Sequence, residues 1–372
     1  MALLGFVAVA GALVGLSVLA YTGFAPAVVR MPVPQVRPPA GASWLGAFTW
    51  WDGWWYVGIA ERGYDFVPGR QSSVAFFPAY PLLLRAGRLV GVPSPLGGFV
   101  VTLASGAAAT VLFARWCAER LGRRQALFAL ATLVLYPCAF YLAGTVYAEA
   151  LFVALVLGAF ALLERDRFWA AGLVAAVATA TRPIGVALVV GLWLRALELR
   201  REPGRSGRSW GVLLAPVGVG AYCAYLWVRF GDPLAFVAAE GAPGWGQAPG
   251  WATWLKVTWF ERMSKPPIVS ALHLHLVGHA VVTFAFLALV PSVFRRFGRA
   301  YGVFALLVVA GSALSTRDFT GMGRYVLAAF PCFAVAGAAL ADHPAVARIV
   351  LPASAGLLVF FTTLHARNML IS

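Results

Sequence analysis

The chain has 372 residues, of which 61% are hydrophobic and only 12% are charged, and its mean hydropathy is +0.81. A soluble domain carries about 25% charged residues, so this composition excludes an ordinary soluble protein and indicates many membrane-spanning segments. The formal net charge of +15 comes from short basic clusters between apolar segments. That pattern is typical of loops that face anionic lipid, so binding of nucleic acid is not predicted.

Apolar segments of about 15 to 22 residues recur along the chain, and this length crosses a hydrocarbon core of about 30 Å. The first segment, 3–24, precedes a sequence at 25–27 that resembles a signal-peptidase site. It has no basic residue before it and is long for a signal peptide, so we predict that it is a retained span. About eleven spans are expected in one transmembrane domain, residues 1–372, of all-α polytopic class. After the first, they are 97–116, 125–144, 146–163, 168–182, 183–197, 211–230, 270–291, 300–315, 325–341 and 346–364.

The basic clusters define the predicted topology, because loops rich in Lys and Arg remain in the cytoplasm. Residues 25–95 and 231–268 then become two long extracytoplasmic loops. The segment 75–92 is apolar enough for a span, yet a re-entrant or interfacial helix there keeps every cluster inside; a full crossing remains the alternative. The clusters are 119–124, 164–167, 198–208 and 295–299.

Two carboxylates stand out in the predicted extracytoplasmic connections. Asp52 lies in WDGWWYVGIAERGY, residues 51–64, among aromatic side chains, and Glu149 begins a predicted span. Either acid could simply cap a helix, since a negative charge is stable at a helix N-terminus. The more specific alternative is that Asp52 acts as a base at the point where a ligand enters. It would then lie one helical turn from Trp55 and Tyr56.

Three arginines lie at predicted extracytoplasmic span ends: Arg182, Arg317 and Arg324. A planar guanidinium suits bidentate binding of phosphate oxygens. Each one alone could be a snorkelling side chain at the membrane surface. Together, on the same side as two acids, they predict a phosphate site.

Other polar and aromatic residues near the second long loop leave alternatives open. His273, His275 and His279 have a spacing that could hold a metal, although hydrogen-bonded imidazoles are more ordinary. The tryptophans of this loop, among them Trp245, form either an aromatic belt at the membrane interface or a surface on which a sugar stacks. Cysteines stand singly and predict neither a disulfide framework nor a zinc site.

Five segments of the chain, given at the end of this paragraph, resemble the PIG-V-like mannosyltransferases and follow one another in the order found in that family. These enzymes are relatives of GPI mannosyltransferase 2 within the GT-C class of multi-span glycosyltransferases. The resemblance implies a GT-C fold, a polyprenyl-phosphate-mannose donor, inverting transfer, and an essential acid in the first extracytoplasmic loop, which corresponds to Asp52. The segments are WDGWWYVGIAERGY (51–64), AFFPAYPLLLR (75–85), YPCAFYLAGTVYAEALF (136–152), ATATRPIG (178–185) and MGRYVLAAFP (322–331).

The residues themselves favour the same class of enzyme. No predicted cytoplasmic loop is long enough to hold a nucleotide sugar, and the chain has no P-loop or dinucleotide fingerprint, so an activated sugar would arrive on a lipid. Arginines would stabilise the departing phosphate while a carboxylate takes the acceptor proton. The predicted site is Asp52 as catalytic base, Arg182, Arg317 and Arg324 for the donor phosphate, and Trp51, Trp55, Tyr56, Tyr147, Glu149 and Tyr325 for the substrate.

No cofactor or metal is expected. The predicted partners are the lipid-linked donor, a lipid-linked or glycan acceptor, and membrane lipids. A composition rich in Ala, Gly and Arg is typical of GC-rich bacteria, so a bacterial plasma membrane is expected. The positions of the basic clusters predict that the site lies on its extracytoplasmic face. A transporter or flippase of a lipid-linked sugar is the alternative, although such a protein should carry charged groups at the membrane midplane and broken, symmetry-related spans. A non-catalytic membrane subunit is a third hypothesis.

Overall fold

The computed structural model describes residues 1–23, 43–201, 209–247, 249–266 and 270–369. The sequence at 25–27 and most of the basic cluster 198–208 lie outside these ranges. Within them the only β contact is an isolated bridge between Gln247 and Thr316, so the predicted all-α class is confirmed. The helices are α1 (Ala2–Gly23), α2 (Asp52–Arg62), α3 (Ala79–Leu89), α4 (Ser94–Arg120), α5 (Arg123–Val134), α6 (Glu149–Leu163), α7 (Phe168–Thr179), α8 (Gly185–Leu199), α9 (Val217–Phe230), α10 (Ala235–Glu240), α11 (Trp251–Trp254), α12 (Val257–Met263), α13 (Ala271–Phe297), α14 (Arg299–Ser315), α15 (Met322–Tyr325), α16 (Phe330–Asp342) and α17 (Pro344–Ala366).

Several helices of the described chain are long and apolar enough to cross a membrane, so the chain is a multi-pass membrane protein. Their outward faces carry large apolar side chains such as Leu4 on α1 and Ile349 on α17, which suits contact with lipid rather than water. Helices α6, α7 and α14 are apolar but shorter, and the count of about eleven spans stays a prediction. The five long segments are Ala2–Gly23, Ser94–Arg120, Trp210–Phe230, Leu272–Phe297 and Pro344–Ala366.

Two of the predicted spans are interrupted. The span predicted at 125–144 is helical as α5 and then breaks near Pro137 into turns and a short 3₁₀ helix, Ala139–Leu142. The span predicted at 325–341 is a bent pair, in which Met322–Ala328 and Phe330–Asp342 meet at 91°. Pro331 lies at the start of α16, where its missing N–H prevents the preceding turn from continuing straight into the helix.

The segment 75–92 contains helix α3, which has 11 residues. At 1.5 Å per residue this helix is about 16 Å long, roughly half the thickness of a hydrocarbon core. It therefore cannot cross a membrane by itself. Its buried residues, including Tyr80 and Leu84, pack toward α2 and α4, and the Tyr80 hydroxyl donates to the carbonyl of Gly98 over 3.0 Å.

The centre of the bundle is formed where α4, α6, α14 and α16 meet. Four fully buried aromatic side chains contact one another there, namely Phe113, Phe160, Phe304 and Phe330, with ring centroids between 5.4 and 6.4 Å apart. This apolar packing fixes the axis of α6. Because α6 has 15 residues, its two ends lie about 22 Å apart, and each end carries a different cluster of charges.

The basic end of the molecule comprises Arg120, Glu164, Arg195, Glu198 and Tyr301. Arg195 donates to both oxygens of Glu164, over 2.8 and 3.0 Å, while the Tyr301 hydroxyl donates to Oε1 over 2.8 Å. Arg120 lies 3.2 Å from Glu164, and Glu198 lies 3.2 Å from Arg195. These bonds join α4, α6, α8 and α14, so three of the predicted basic clusters meet in one closed network.

Candidate active site

The opposite end of α6 belongs to the cavity end of the molecule, where two acids each begin a helix. Asp52 is the first residue of α2 and Glu149 is the first residue of α6. The positive end of each helix dipole therefore lies beside a carboxylate. The Tyr147 hydroxyl accepts the backbone N–H of Asp52 over 3.1 Å and donates to the carbonyl of Trp50 over 3.3 Å, so it fixes the start of α2.

The backbone immediately before Asp52 is strained. Trp51 has φ 58° and ψ −115°, in a region that side chains other than glycine rarely adopt. Such a conformation costs on the order of 1–3 kcal/mol and persists only where the surroundings impose it. Here it turns the chain so that Trp51 and Asp52 both face the same cavity.

Two arginines pair with the two acids. Arg324 contacts Oδ2 of Asp52 and lies 3.4 Å from Oε1 of Glu149, while Arg182 contacts the same Glu149 oxygen. Both guanidinium groups lie over the ring of Tyr325, 5.2 Å from its centroid for Arg182 and 5.0 Å for Arg324. Two acids and two arginines thus form one cluster of ion pairs, and both arginines pack on the ring of Tyr325.

A cavity of about 260 Å³ opens beside this cluster, close to the lower end of the range for small-molecule sites, about 300–1,000 Å³. The start of α2, the turn before α8 and the loop after α10 contribute to its wall. The lining residues are Trp51, Asp52, Trp55, Tyr56, Gln71, Ala75, Phe76, Phe77, Thr181, Arg182, Pro183, Glu240, Gly244, Trp245, Gln247, Thr320, Gly321, Arg324 and Tyr325.

One side of the cavity is aromatic. Trp55 stacks on Phe76 with ring centroids 5.6 Å apart and an interplanar angle of 17°. Trp245 meets both rings edge-on, at 5.4 and 5.7 Å. Aromatic faces beside a few convergent polar groups suit a ligand with an apolar face and hydroxyl edges, as a sugar ring has.

Curated relatives exist for part of the chain. A GPI alpha-1,6-mannosyltransferase 2 from Cricetulus griseus is 36% identical over 163 residues, which are 41% of this chain and 32% of the relative. The Mus musculus protein of the same name is 34% identical over 169 residues, 41% of this chain and 33% of the relative. The match therefore spans about a third of the length of these relatives. No protein-family model matches the chain.

The fold has a solved counterpart. The crystal structure of ArnT from Cupriavidus metallidurans bound to undecaprenyl phosphate superposes with a TM-score of 0.54 at 14% identity, covering 99% of this chain and 76% of that chain. At this identity the likeness shows the fold alone. The chain has the GT-C fold and is related to GPI mannosyltransferase 2.

Most of the site residues predicted for this GT-C chain meet at the cavity. Asp52, Arg182, Arg324 and Tyr325 line it together with the predicted aromatic residues of α2. Tyr147 and Glu149 lie behind the lining; Glu149 is only 2% exposed and reaches the site through the two arginines.

Arg317 is a predicted site residue that belongs neither to the lining nor to the ion pairs behind it. Its backbone N–H donates to the carbonyl of Gly246 over 2.8 Å, next to the bridge between Gln247 and Thr316. Lys256 donates to the carbonyls of Ala313 and Thr316 close by. Arg317 therefore belongs to the contact that fastens the loop after α10 to the end of α14.

Two of the three histidines form hydrogen bonds, and the ring of His275 lies edge-on to that of His279 with centroids 4.5 Å apart. His273 contacts Ser270 Oγ at 2.7 Å, and Nδ1 of His279 accepts the backbone N–H of Gly323 over 3.1 Å, one residue before Arg324. Across the part of the chain that the structure describes, no group of three or more His, Cys, Asp or Glu side chains is arranged to hold a metal ion. Metal-independent activity stays a prediction.

The sequence did not single out three polar residues of the lining, Gln71, Glu240 and Gln247. Glu240 ends α10, and burial raises its pKa from 4.5 to about 7. Glu240 is an acid at the end of an otherwise apolar segment, AFVAAE. This pattern could have identified Glu240 from the sequence, because an unpaired charge near a membrane is costly. The glutamines lie in loops with no distinguishing pattern.

Proposed function

We propose that this chain is a membrane mannosyltransferase that moves mannose from a polyprenyl-phosphate donor to a hydroxyl of a lipid-linked or glycan acceptor. The observation that carries the proposal is the convergence of Asp52, Arg182 and Arg324 on one cavity beside an aromatic wall. The name of the curated relatives supports mannose as the sugar. The undecaprenyl phosphate bound to ArnT supports a polyprenyl phosphate as the leaving group.

In this mechanism Asp52 is the general base. The acceptor oxygen attacks the anomeric carbon from the side opposite the phosphate, and its proton passes to the Asp52 carboxylate. The bond between the anomeric carbon and the phosphate oxygen breaks with its electron pair, which leaves polyprenyl phosphate and inverts the anomeric centre. The start of α2 and the contact with Arg324 hold the Asp52 carboxylate at the cavity, where an acceptor hydroxyl would lie.

Arg182 and Arg324 neutralise the charge that develops on the departing phosphate. Their guanidinium groups lie on the Tyr325 ring, which holds their planes while leaving N–H groups available. Within the described residues, Nε of Arg324 is buried and has no hydrogen-bond partner. A phosphate oxygen would supply that partner, as a preorganised cationic site requires.

The proposal is tested by incubating the purified chain with polyprenyl-phosphate mannose and a lipid extract, then measuring a new mannolipid and the released polyprenyl phosphate. Asp52→Asn keeps shape and removes the proton-accepting charge, so turnover should fall by about 10²- to 10⁴-fold. Donor binding should survive, since the phosphate contacts come from the arginines. A chelator should leave transfer unchanged.

The control is Glu261→Gln, which changes an exposed acid of α12 outside the cavity lining. It should behave as the unsubstituted chain. Near-normal turnover in Asp52→Asn would remove Asp52 as the base. Movement of intact polyprenyl-phosphate mannose across a vesicle membrane, without release of polyprenyl phosphate, would favour the transporter hypothesis instead.

The cavity end is proposed to face the extracytoplasmic side of a bacterial plasma membrane. Cysteines placed at Glu261, near the cavity end, and at Arg165, near the basic end, give opposite expectations in intact cells. A membrane-impermeant thiol reagent should label the cysteine at Glu261 and spare the one at Arg165. Labelling at Arg165 alone would reverse the assignment of sides.

A further inference from the structure

A second cavity of about 240 Å³ adjoins the first. Its far side is formed by Gly311, Ser312 and Ser315 of α14. The residues that line both cavities form a shared wall, namely Arg182, Pro183, Glu240, Gln247 and Tyr325. A ligand that extends from Asp52 toward α14 would therefore pass this shared wall.

Glu240 differs from the other acids of the cavity end. Asp52 contacts Arg324 and Glu149 contacts Arg182, whereas the Glu240 side chain forms no hydrogen bond or ion pair with any residue that the structure describes. It is nonetheless half-buried, and Arg182 is near enough to influence it electrostatically. A carboxyl group that is partly shielded from water and has no protein partner is stabilised when a ligand supplies its hydrogen bonds.

The surroundings of Glu240 fit a sugar better than a phosphate. Trp245 supplies an aromatic surface on the same loop, and the side-chain amide of Gln71 lies against Gly244. The amide of Gln247 donates to the Tyr325 hydroxyl over 3.2 Å, which leaves its carbonyl oxygen available to a ligand. Amides and a carboxyl group can both donate to and accept from hydroxyl groups, whereas a carboxylate would repel a phosphate.

We propose that Glu240 binds a hydroxyl of the transferred mannose and thereby determines which sugar the site accepts. This inference rests on the proposed function. Burial that raises the pKa of Glu240 to about 7 lets the group act as donor or acceptor near neutral pH. The bridge between Gln247 and Thr316 joins the loop after Glu240 to the end of α14, so Glu240 would contact the sugar from a fixed position.

The test compares polyprenyl-phosphate mannose with analogues that each lack one sugar hydroxyl, using the full chain in detergent. The unsubstituted chain should discriminate against one of these analogues by about 10- to 150-fold in kcat/KM, the range expected for one hydrogen bond to a charged group. Glu240→Ala should lower kcat/KM for mannose and abolish that discrimination. Glu240→Gln should restore part of it, because the amide keeps the shape and one hydrogen bond.

The matched control is Glu261→Ala, which should retain the selectivity of the unsubstituted chain. A merely structural role for Glu240 predicts an equal loss for every donor, so a uniform loss in Glu240→Ala would overturn the inference. An unsubstituted chain that transfers mannose and all analogues equally would also overturn it. Failure of the unsubstituted chain to transfer mannose would refute the proposed function itself, together with this inference.

Discussion

At the basic end, the carboxylate of Glu164 accepts hydrogen bonds from Arg195 and Tyr301. At the cavity end the same residue types also lie at helix ends, but Arg324 keeps an unpartnered Nε and Glu240 is unpaired within those residues. The basic end satisfies its charges internally and joins helices. The cavity end leaves polar atoms available, which is what a binding site requires.

The largest expected difference between the ends comes from replacing an arginine by lysine. Arg324→Lys retains the charge but loses the fork that contacts Asp52 and faces the cavity. We expect kcat/KM for mannose transfer to fall by about 10²- to 10³-fold, as when one donor to a developing anion is removed. Initial rates at varied donor concentration measure it, and unchanged donor kinetics would remove Arg324 from the site.

The matched substitution at the basic end is Arg195→Lys, which removes the two-pronged bond to Glu164. Because this network is structural, the free energy of unfolding should fall by about 1.5 to 3 kcal/mol, the value of a hydrogen bond to a charged group. The midpoint of thermal unfolding measures this change. Turnover of the folded protein should match that of the unsubstituted chain; a loss like that of Arg324→Lys would erase the contrast between the ends.

Two tyrosine hydroxyls sharpen the same contrast with a smaller effect. Tyr147→Phe removes the acceptor of the Asp52 N–H, and one such bond is worth about 1 kcal/mol, so turnover should fall roughly fivefold as α2 loses its fixed start. Tyr301→Phe removes the bond to Glu164 and should lower thermal stability while sparing turnover. Rate and unfolding measurements on both variants decide; equal rate losses would contradict the assignment.

Much of the cavity end could be predicted from the sequence because basic clusters tend to lie on one side of a membrane. If every basic cluster lies on one side of the membrane, the number of crossings places Asp52, Glu149, Arg182 and Arg324 on the other side. The structure brings these four side chains into contact. The hydrophobic pattern likewise predicted most helices, since apolar runs of this length have few alternatives in a membrane.

What the sequence could not predict depends on tertiary contacts. Arg182 and Arg317 both lie at predicted span ends, so the sequence does not distinguish them. In the structure Arg182 lines the cavity, whereas Arg317 binds the carbonyl of Gly246 through its backbone and does not line it. Glu240 becomes a lining residue because α10 folds back beside Arg182. The bend of 91° between Met322–Ala328 and α16 begins beside Pro331, and a hydropathy profile, which averages over a window, does not show such a break.

The smallest expected effect is a difference in sign between two acids as pH changes. Burial alone would raise the pKa of Glu164, but its bonds to Arg195 and Tyr301 and the charge of Arg120 outweigh this and lower it below 4.5. Glu164 therefore contributes stability that is present above pH 4.5 and is lost as pH falls through its lowered pKa. Burial instead raises the pKa of Glu240 to about 7, with the charge of Arg182 acting against it.

Between pH 4.5 and about 7 the folded state thus holds a proton on Glu240 that the unfolded state releases, so the contribution of Glu240 to the free energy of unfolding falls as pH rises through that window. Glu240→Gln removes the titrating group and should flatten this decline in the midpoint of thermal unfolding. Glu164→Gln should lower the midpoint throughout the same window, because the paired carboxylate is already ionised there. If the unfolding midpoint of Glu240→Gln declined with pH as steeply as that of the unsubstituted chain, another group would be responsible for the decline. The contrast between the basic end and the cavity end would then rest on their geometry alone.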